Sequence, residues 1–424
     1  MERLQCHVQN YAWGKKGLDS EVARVFKAGH ENATIDMQKS YAELWMGTHP
    51  DGPARLKRNN MKLSNYITES ETSVYEKSTK DTHLPFIMKL MSIDRTLSLQ
   101  AHPTKEQAAR LNDRDPVHYP DRNHKPELAY ALTKFELLCG FRPATEIATN
   151  IAEFSELGDL MGEDTSTAFR VLVQAGVSEQ CATTKAALAV CFKKLIHARE
   201  DTQHVKALIE SFLLKLDSGE CIECVGCSNN TIRAACTPKY IDVEGLCEVL
   251  NYRMGDPSYY LVPAVQLEGF EHVHEYAPDC KDFTLHEIKI ESASDDSPIP
   301  IPRLTCGSIM VIVDGSAELE NLSERGKRRE KNRCRVKRGD ILYIAPGAQP
   351  CFYFQSEQQE QRICAYRTFS YEVGPDHSQR NTSAAFEQPA LSKVKVQKKG
   401  RAKYLVTDED ADIFDVETEM DGVC

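Results

Sequence analysis

The pattern of apolar and polar positions changes twice in the first half of the chain. Residues 1–143 alternate short strand-like runs with many Gly, Pro, Asn and Asp turns, which is typical of β structure. From residue 144 to about 214, apolar residues such as Ile147 and Ile151 recur every three or four positions, and this period predicts helices. After a turn signal at 217–219, the sequence pattern is again typical of strands. The pattern predicts β structure with a helical insertion.

A second β-rich region lies between about residues 283 and 367. Three apolar stretches there, bounded by Gly and Pro, predict strands at 285–290, 308–313 and 340–344. The charged run at 323–338 predicts a solvated hairpin loop. Beyond residue 371 the chain is polar, first basic and then acidic, and we expect a largely disordered tail.

Composition narrows the class of protein. At 424 residues, with 41% hydrophobic and 27% charged residues, the chain is expected to fold into two or three globular units. It has no apolar run near the ~20 residues that cross a bilayer, and its first residues lack the apolar core of a signal peptide, so we expect a cytoplasmic protein. The 15 scattered cysteines are then mostly buried thiols. A net charge of -11 argues against nucleic-acid binding but allows a local cationic pocket.

The segment LSLQAHP at residues 97–103 is the most informative stretch for chemistry. Apolar and polar residues alternate, so on a strand Ser98, Gln100 and His102 share one face. An amide oxygen and an imidazole two positions apart can reach one metal ion, and zinc takes both kinds of ligand. Taken alone, a polar strand face with one histidine is more often structural.

The segment NHKPE at residues 123–127 could complete such a site. Glu127 offers a carboxylate, and in an extended segment Lys125 lies on the same side as a nearby cation. Together with an amide and an imidazole, this carboxylate would form an open zinc site with room for water or substrate. The alternative is an exposed turn with a surface lysine.

The segment ECIECVGC at residues 220–227 invites a different interpretation. Its cysteines Cys221, Cys224 and Cys227 have a spacing found in thiolate metal sites. On a strand, however, the first two point to opposite faces, which favours buried structural thiols. Glu223 and the later Arg233 are better candidates, as an acid or base and as an anion contact.

Five motifs occur in the order found in one family. They are NYAWG at 10–14, ELWMGTHP at 43–50, LSLQAHP at 97–103, NHKPE at 123–127 and the stretch 230–238. With these motifs, roughly residues 1–367 resemble type I mannose-6-phosphate isomerase (phosphomannose isomerase), a zinc-dependent cupin family.

The resemblance implies a mainly β fold with an α-helical insertion, in which two cupin-like β-barrel or jelly-roll units accompany a helical domain. The implied units are a catalytic cupin domain at 1–143 and 217–275, a helical domain at 144–216, a metal-free cupin-like domain at 276–371 and the tail at 372–424. In the third of these units, residues 339–347 resemble a cupin strand and turn, and residues 348–351 after them contain no histidine that could bind a metal.

The implied activity is the interconversion of mannose 6-phosphate and fructose 6-phosphate through an enediol-type intermediate, supplying mannose for GDP-mannose and glycan synthesis. The chain would be a monomer whose partner is a sugar phosphate, with no nucleic acid and no membrane, and it would bind one Zn²⁺. The implied roles are metal binding for Gln100, His102 and Glu127, catalysis for Arg233, Lys125 and Glu223, and substrate binding for Ser98, Lys125 and Arg233. Which group transfers the proton is left open.

The chain departs from the family at one place. The family has a fourth zinc ligand, a histidine just before the strand matching residues 221–225, whereas here residues 212–217 run directly into the turn at Ser218. We therefore expect an internal deletion of several dozen residues, which would weaken zinc binding and expose strand edges. His197 and His204 are the nearest histidines, but both fall in the predicted helices. The alternatives are a catalytically impaired sugar-phosphate-binding relative, and a skipped exon or faulty gene model.

Overall fold

The structure is a computed structural model that describes residues 1–71, 84–198, 219–235, 237, 239–291, 298–324, 333–354, 362–370 and 403–406. These residues form nineteen strands and eight α-helices. The strands are β1 (Glu2–Gln5), β2 (His7–Gln9), β3 (Glu43–Gly47), β4 (Arg55–Leu56), β5 (Phe86–Ser92), β6 (Leu99–Ala101), β7 (Glu127–Ala131), β8 (Glu220–Gly226), β9 (Ile232–Ala235), β10 (Val265–Leu267), β11 (Phe270–Tyr276), β12 (Thr284–Ile290), β13 (Ile299–Pro300), β14 (Ser308–Asn321), β15 (Cys334–Lys337), β16 (Ile341–Ile344), β17 (Pro350–Tyr353), β18 (Ile363–Phe369) and β19 (Lys403–Val406). The α-helices are α1 (Glu21–Gly29), α2 (Leu63–Glu71), α3 (Lys105–Arg114), α4 (Ala144–Glu153), α5 (Ser155–Met161), α6 (Glu163–Gln174), α7 (Ala182–Ala198) and α8 (Val243–Val249).

A six-stranded antiparallel sheet in the order β19-β7-β8-β5-β3-β2 carries the first half of the fold. Successive side chains on a strand point to opposite faces. One face of this sheet is apolar and belongs to the main core, with Leu44, Met88, Leu128 and Ile222 as examples from four strands. The residues between them point to the other face, which is therefore free to carry polar groups.

The second sheet has eleven strands and takes most of its members from the C-terminal half. The predicted strands at 285–290, 308–313 and 340–344 are confirmed as β12, the first part of β14, and β16. The N-terminal strand β1 also belongs to this sheet, where it pairs with β16. Apolar residues of both sheets, including Ile309 and Tyr366, meet in the same core.

The prediction of a loop across residues 323–338 was wrong at its C-terminal end. Strand β15 occupies Cys334–Lys337 and pairs with β14. Val336 is fully buried and its neighbours Arg335 and Lys337 are exposed, so a period of two was present inside the charged run. The high charge concealed a strand with a single strongly apolar anchor.

Helices α4 to α7 follow one another between β7 and β8, and each buries apolar residues in a second core. The short antiparallel pair β6–β9 packs against this core through Leu99, Ala101, Ile232 and Ala234. The intervening residues of the pair, Gln100 and Arg233, consequently face the opposite way. The domain boundaries predicted from the sequence remain predictions.

Four residues of the predicted disordered tail are ordered. They form β19, which pairs with β7 at the edge of the six-stranded sheet. The other residues of the predicted tail lie outside the described part of the chain. Among the described helices, none has the length and apolar character needed to span a bilayer.

Candidate active site

The polar face of the six-stranded sheet concentrates charged side chains at its centre. Glu43 on β3, Lys89 on β5, Glu127 on β7 and Glu223 on β8 alternate with core residues of the same strands. In the register, Lys89 lies opposite Glu223. The sheet thereby gathers four charged groups from segments distant in the sequence.

Lys89 lies at the centre of this face and forms ion pairs with two of its glutamates. It is only 7% exposed, and its Nζ lies 2.5 Å from Glu223 Oε2 and 3.8 Å from Glu43 Oε2. Burial by itself would lower the pKa of Lys89, but Glu223, Glu43 and Glu127 outweigh it and raise that pKa above its ordinary value. The Trp45 indole N–H donates to Glu43 Oε2 at 2.5 Å, which anchors one of the carboxylates.

Lys89 and Glu43 were missed by the sequence analysis, although one signal was available. Strand β5 reads FIMKLMS and is buried along its whole length. A lysine in such a strand needs compensating charges, so it indicates a buried ionic cluster. The motif ELWMGTHP contains Glu43 and Trp45 but does not by itself show which side chain faces the site.

His102 and Glu127 meet in the way the sequence predicts. The imidazole is 7% exposed, and its Nδ1 lies 2.9 Å from the Asn230 carbonyl. Because a carbonyl only accepts, Nδ1 carries the hydrogen and Nε2 presents a lone pair in the neutral ring. Nε2 lies 3.3 Å from Glu127 Oε1, yet it makes no hydrogen bond within the described residues.

The Nε2 atom of a ring that carries its hydrogen on Nδ1 and a carboxylate oxygen are two acceptors that a bound cation can bridge. An imidazole and a carboxylate are zinc ligands, and an imidazole whose other nitrogen donates to a carbonyl has the usual outer-shell support. That carbonyl belongs to Asn230, whose amide donates to the Asn123 carbonyl at 2.9 Å and to the Asp121 carbonyl at 2.9 Å. The geometry therefore fits a divalent metal ion beside His102 and Glu127.

The carboxylate of Glu127 is held in its charged form. Burial would raise its pKa, but Lys125, His102 and Lys89 outweigh burial and bring the pKa well below the ordinary value. Lys125 Nζ lies 3.0 Å from Glu127 Oε1, so the predicted placement of Lys125 beside the carboxylate is confirmed. Lys125 is largely buried, which contradicts the alternative of a surface turn.

Gln100 is placed two residues before His102 on β6, with Leu99 and Ala101 buried on the other side as expected. Across the described residues, no group of three or more His, Cys, Asp or Glu side chains could hold a metal ion. A third protein ligand next to His102 and Glu127 would thus have to be of another type, such as the Gln100 amide. The ligand roles remain predictions.

A cationic side of the site is formed by Arg233 and Lys239. Arg233 lies opposite Gln100 in the β6–β9 pair, and burial lowers the pKa of its guanidinium. Burial, Arg233 and Lys125 lower the pKa of Lys239, against the opposing effect of Glu43. Two cations that are partly buried, one of which lowers the pKa of the other, favour an anionic ligand.

Lys239 was not predicted as a site residue; it directly follows the stretch 230–238 in the sequence. Its Nζ lies 5.8 Å from the ring centroid of Tyr11, which joins the NYAWG motif to this side of the site. Ser98 directly precedes β6 and is partly exposed. Its role in substrate binding remains a prediction.

The cysteine interpretation is not supported by the structure. Cys221 packs with Met91 and Ile93, whereas Cys224 lies in the main core on the opposite face of β8. Burial raises the pKa of Cys224 to about 12 and that of Cys227 to about 11. Burial thus disfavours the thiolate form that binds metals, and the described cysteines join no group of three or more metal-ligating side chains.

His197 and His204 are the histidines closest in sequence to the predicted deletion. His197 is on the exposed side of α7, with Nε2 3.3 Å from Glu244 Oε1. His204 lies outside the described residues.

Comparison with known proteins identifies the family. The model for the family "Phosphomannose isomerase type I, catalytic domain" matches residues 1–144. Mannose-6-phosphate isomerase from Bos taurus is 32% identical, with 80% of this chain and 92% of that protein covered. The Homo sapiens protein of the same name is 33% identical, with 74% of this chain and 87% of that protein covered.

Solved structures agree on the fold. An arginine-to-alanine mutant of phosphomannose isomerase from Salmonella typhimurium matches with a TM-score of 0.65 at 19% identity, covering 87% of this chain and 99% of that one. A mannose 6-phosphate isomerase bound with zinc and yttrium matches with the same TM-score, identity and coverage. The architecture is thus that of the phosphomannose isomerases. With the sequence identity to the mammalian proteins, the chain belongs to the type I mannose-6-phosphate isomerase family.

The alignments also bear on the predicted deletion. The bovine alignment runs over 403 positions but uses only 80% of the 424 residues of this chain, so several dozen positions have no counterpart here. This difference is the size expected for the deletion. Its position before Ser218 remains a prediction, because residues 199–218 lie outside the described part of the chain.

Proposed function

We propose that this chain interconverts mannose 6-phosphate and fructose 6-phosphate and depends on one zinc ion held by Gln100, His102 and Glu127. The observation that carries the proposal is the buried His102, whose Nδ1 lies 2.9 Å from the Asn230 carbonyl and whose Nε2 lies 3.3 Å from Glu127 Oε1, next to a buried lysine–glutamate pair. When bound, zinc would supply Lewis-acid polarisation of the sugar oxygens. Proton transfer, charge stabilisation and phosphate binding are carried out by side chains of the protein.

Proton transfer between the two carbons falls to Glu223. Burial, Glu127 and Glu43 raise the pKa of Glu223 against the opposing effect of Lys89, and a raised pKa suits a group that must take up and return a proton near neutral pH. Glu223 takes the proton from C2 of mannose 6-phosphate and returns it to C1, which converts the aldose into the ketose through the enediol.

The two oxygens exchange a proton in the same steps. The proton on O2 moves to O1, and Lys89 Nζ, 2.5 Å from Glu223, donates hydrogen bonds that stabilise the charge developing on the two oxygens. Lys125 stabilises negative charge on these oxygens. The protons balance, because one moves from C2 to C1 and one moves from O2 to O1.

The phosphate is bound on the cationic side of the site. Arg233 can offer two parallel N–H donors to a phosphate, and Lys239 adds a point charge. The depressed pKa of both cations would be relieved by a dianion between them. Substrate binding therefore compensates charges that are unfavourable in the free protein.

A coupled assay that follows fructose 6-phosphate tests the proposal. We expect turnover that is lost after complete removal of zinc by a chelator and regained with added zinc. Glu223→Gln should lower kcat by about 10²- to 10⁴-fold with zinc content unchanged, and the exposed control Glu244→Gln should behave as wild type. Activity that survives zinc removal would contradict the metal role, and a fully active Glu223→Gln would contradict the assignment of the base.

A second candidate function is supported by the several dozen unmatched positions and by the absence of a larger ligand group in the described residues. In that case the chain would bind the sugar phosphate without turnover. Calorimetry with mannose 6-phosphate distinguishes the two functions: binding without turnover favours this candidate, and measurable turnover excludes it.

A further inference from the structure

One edge of the six-stranded sheet is occupied by a strand that the chain supplies from near its C-terminus. Strand β7 pairs with β8 on one side and with β19 on the other. The β7–β19 register places Val406 opposite Glu127 and Lys403 opposite Tyr130. The pairing therefore covers most of β7, including the residue proposed to bind the metal.

Without β19, the edge of β7 would be open to pairing with other protein chains. A free strand edge presents unpaired N–H and C=O groups that pair with other chains, and natural sheets cover or interrupt such edges. A deletion in the region before β8 is expected to create an edge of this kind, as inferred from the sequence.

Strand β19 is well placed to remain at this edge. Besides β7, it lies against the short 3-10 helix Pro257–Tyr260, so two elements of the fold contact it. The 32 residues between Ser370 and Lys403 can extend over roughly 100 Å at about 3.3 Å per residue. The same chain can therefore deliver the strand without strain.

We infer that residues Lys403–Val406 act as an in-chain edge strand that covers β7 and holds the backbone of Glu127 in position. The second half of this statement rests on the proposed function, because it assumes that Glu127 binds zinc. The first half does not. This strand of the tail is then part of the folded protein, and its removal should expose an unpaired strand edge that favours aggregation.

Hydrogen exchange measured on the full chain tests the pairing. The double substitution Tyr404→Pro and Leu405→Pro should remove at least one ladder hydrogen bond, since proline has no N–H. We expect amide exchange in β7 to accelerate at least about tenfold when an edge hydrogen-bond ladder is lost. The matched control, Val394→Pro with Lys395→Pro, should leave β7 protected. Equal protection in both variants would overturn the inference.

Dilution separates an in-chain strand from one donated by a second copy. Protection of β7 that is unchanged on tenfold dilution supports the in-chain arrangement, and protection that falls on dilution overturns it. Disulfide trapping adds a measurement that does not disturb the ladder. Cysteines at Ala129 and Tyr404, which are register partners, should cross-link within one chain, whereas cysteines at Ala129 and Lys403 should not.

Zinc titration of the same proline variants tests the link to the site. We expect the double-proline variant to bind zinc several-fold more weakly than the control. Unchanged zinc affinity in a variant that has lost β7 protection would overturn the positioning of Glu127. If the wild-type chain binds no zinc at all, the proposed function fails, and the exchange and cross-linking data still decide whether β19 covers the edge.

Discussion

A buried carboxylate lies on each face of strand β7, and the two differ in their surroundings. Glu287 of β12 lies on one face, and Glu127 of β7 itself points to the other. Toward the eleven-stranded sheet, the hydroxyl of Tyr130 donates to Glu287 Oε1 and that of Tyr276 donates to Glu287 Oε2 at 3.0 Å. Toward the site, Glu127 Oε1 lies 3.0 Å from Lys125 Nζ and 3.3 Å from His102 Nε2. One carboxylate is satisfied by two hydroxyl donors and by the Lys289 ammonium, which pairs with Glu287 Oε1, and it rigidifies the core, while the other lies where a metal ion could bind.

This difference shows how to separate structure from function in a buried polar cluster. A cluster whose acceptors all meet donors is complete as it stands. A cluster in which two acceptors face each other is complete only when a cation joins it. Substitutions on the two faces of β7 should therefore affect different measurements.

The largest effect is expected at His102. His102→Ala removes a ligand and should reduce both bound zinc and kcat, the latter by about 10³-fold or more, because a metal contributes several kcal/mol to transition-state stabilisation. Elemental analysis and the coupled assay measure the two quantities. The control His272→Ala, on β11 at the protein surface, should retain both. A His102→Ala protein with full zinc and normal kcat would remove the site assignment.

An intermediate effect is expected at Tyr276. Tyr276→Phe removes the hydroxyl that donates to Glu287 Oε2 and should lower the free energy of unfolding by about 1–3 kcal/mol, with kcat within about twofold of wild type. Denaturant unfolding measures the first and the assay the second. Tyr259→Phe, half exposed on the 3-10 helix, serves as the control and should be close to neutral. A large loss of kcat with unchanged stability would show that the Glu287 cluster takes part in catalysis.

The smallest effect is a dependence of stability on pH. His30 is buried, with Nδ1 3.0 Å from the Phe26 carbonyl and Nε2 accepting from the Cys6 N–H at 2.9 Å. Burial lowers the pKa of His30, which the Phe26 carbonyl opposes and Lys57 reinforces. The unfolded chain therefore binds the proton first as pH falls. The stabilisation is present above the unfolded pKa of about 6.5 and is lost below it, by at most about 1.4 kcal/mol per pH unit.

Urea unfolding between pH 7.5 and 5.5 checks this expectation. His30→Gln should have a flatter profile than wild type over that range, even if its stability is lower throughout. His286, also buried with a lowered pKa, has the same sign and accounts for slope that remains. Stability that rises as the solution is acidified would contradict the assignment.

Local patterns predicted much of the fold and part of the site. Alternation in residues 97–103 correctly set Leu99 and Ala101 against the core, and the extended segment 123–127 correctly set Lys125 beside Glu127. Both predictions worked because they depend on the geometry of two or three consecutive residues.

Other features escaped the sequence analysis for identifiable reasons. The buried Lys89 was overlooked because its counter-charges Glu43 and Glu223 lie on different strands. Lys239 was overlooked because only the fold sets it near Arg233. The ordered strand β19 was missed because a polar, charged tail has the composition of disorder, and its pairing depends on an edge elsewhere in the molecule.

The sequence by itself determined the periods of its strands and helices, the family to which the chain belongs and the residue types available for a zinc site. Only the tertiary structure decided that His102 turns its free nitrogen to Glu127, that Lys89 joins two carboxylates, and that β19 lies beside β7. The physical reason is that side-chain direction along a strand is a local property, whereas the register between strands joins residues that are far apart in the chain and is set by the packing of the whole sheet.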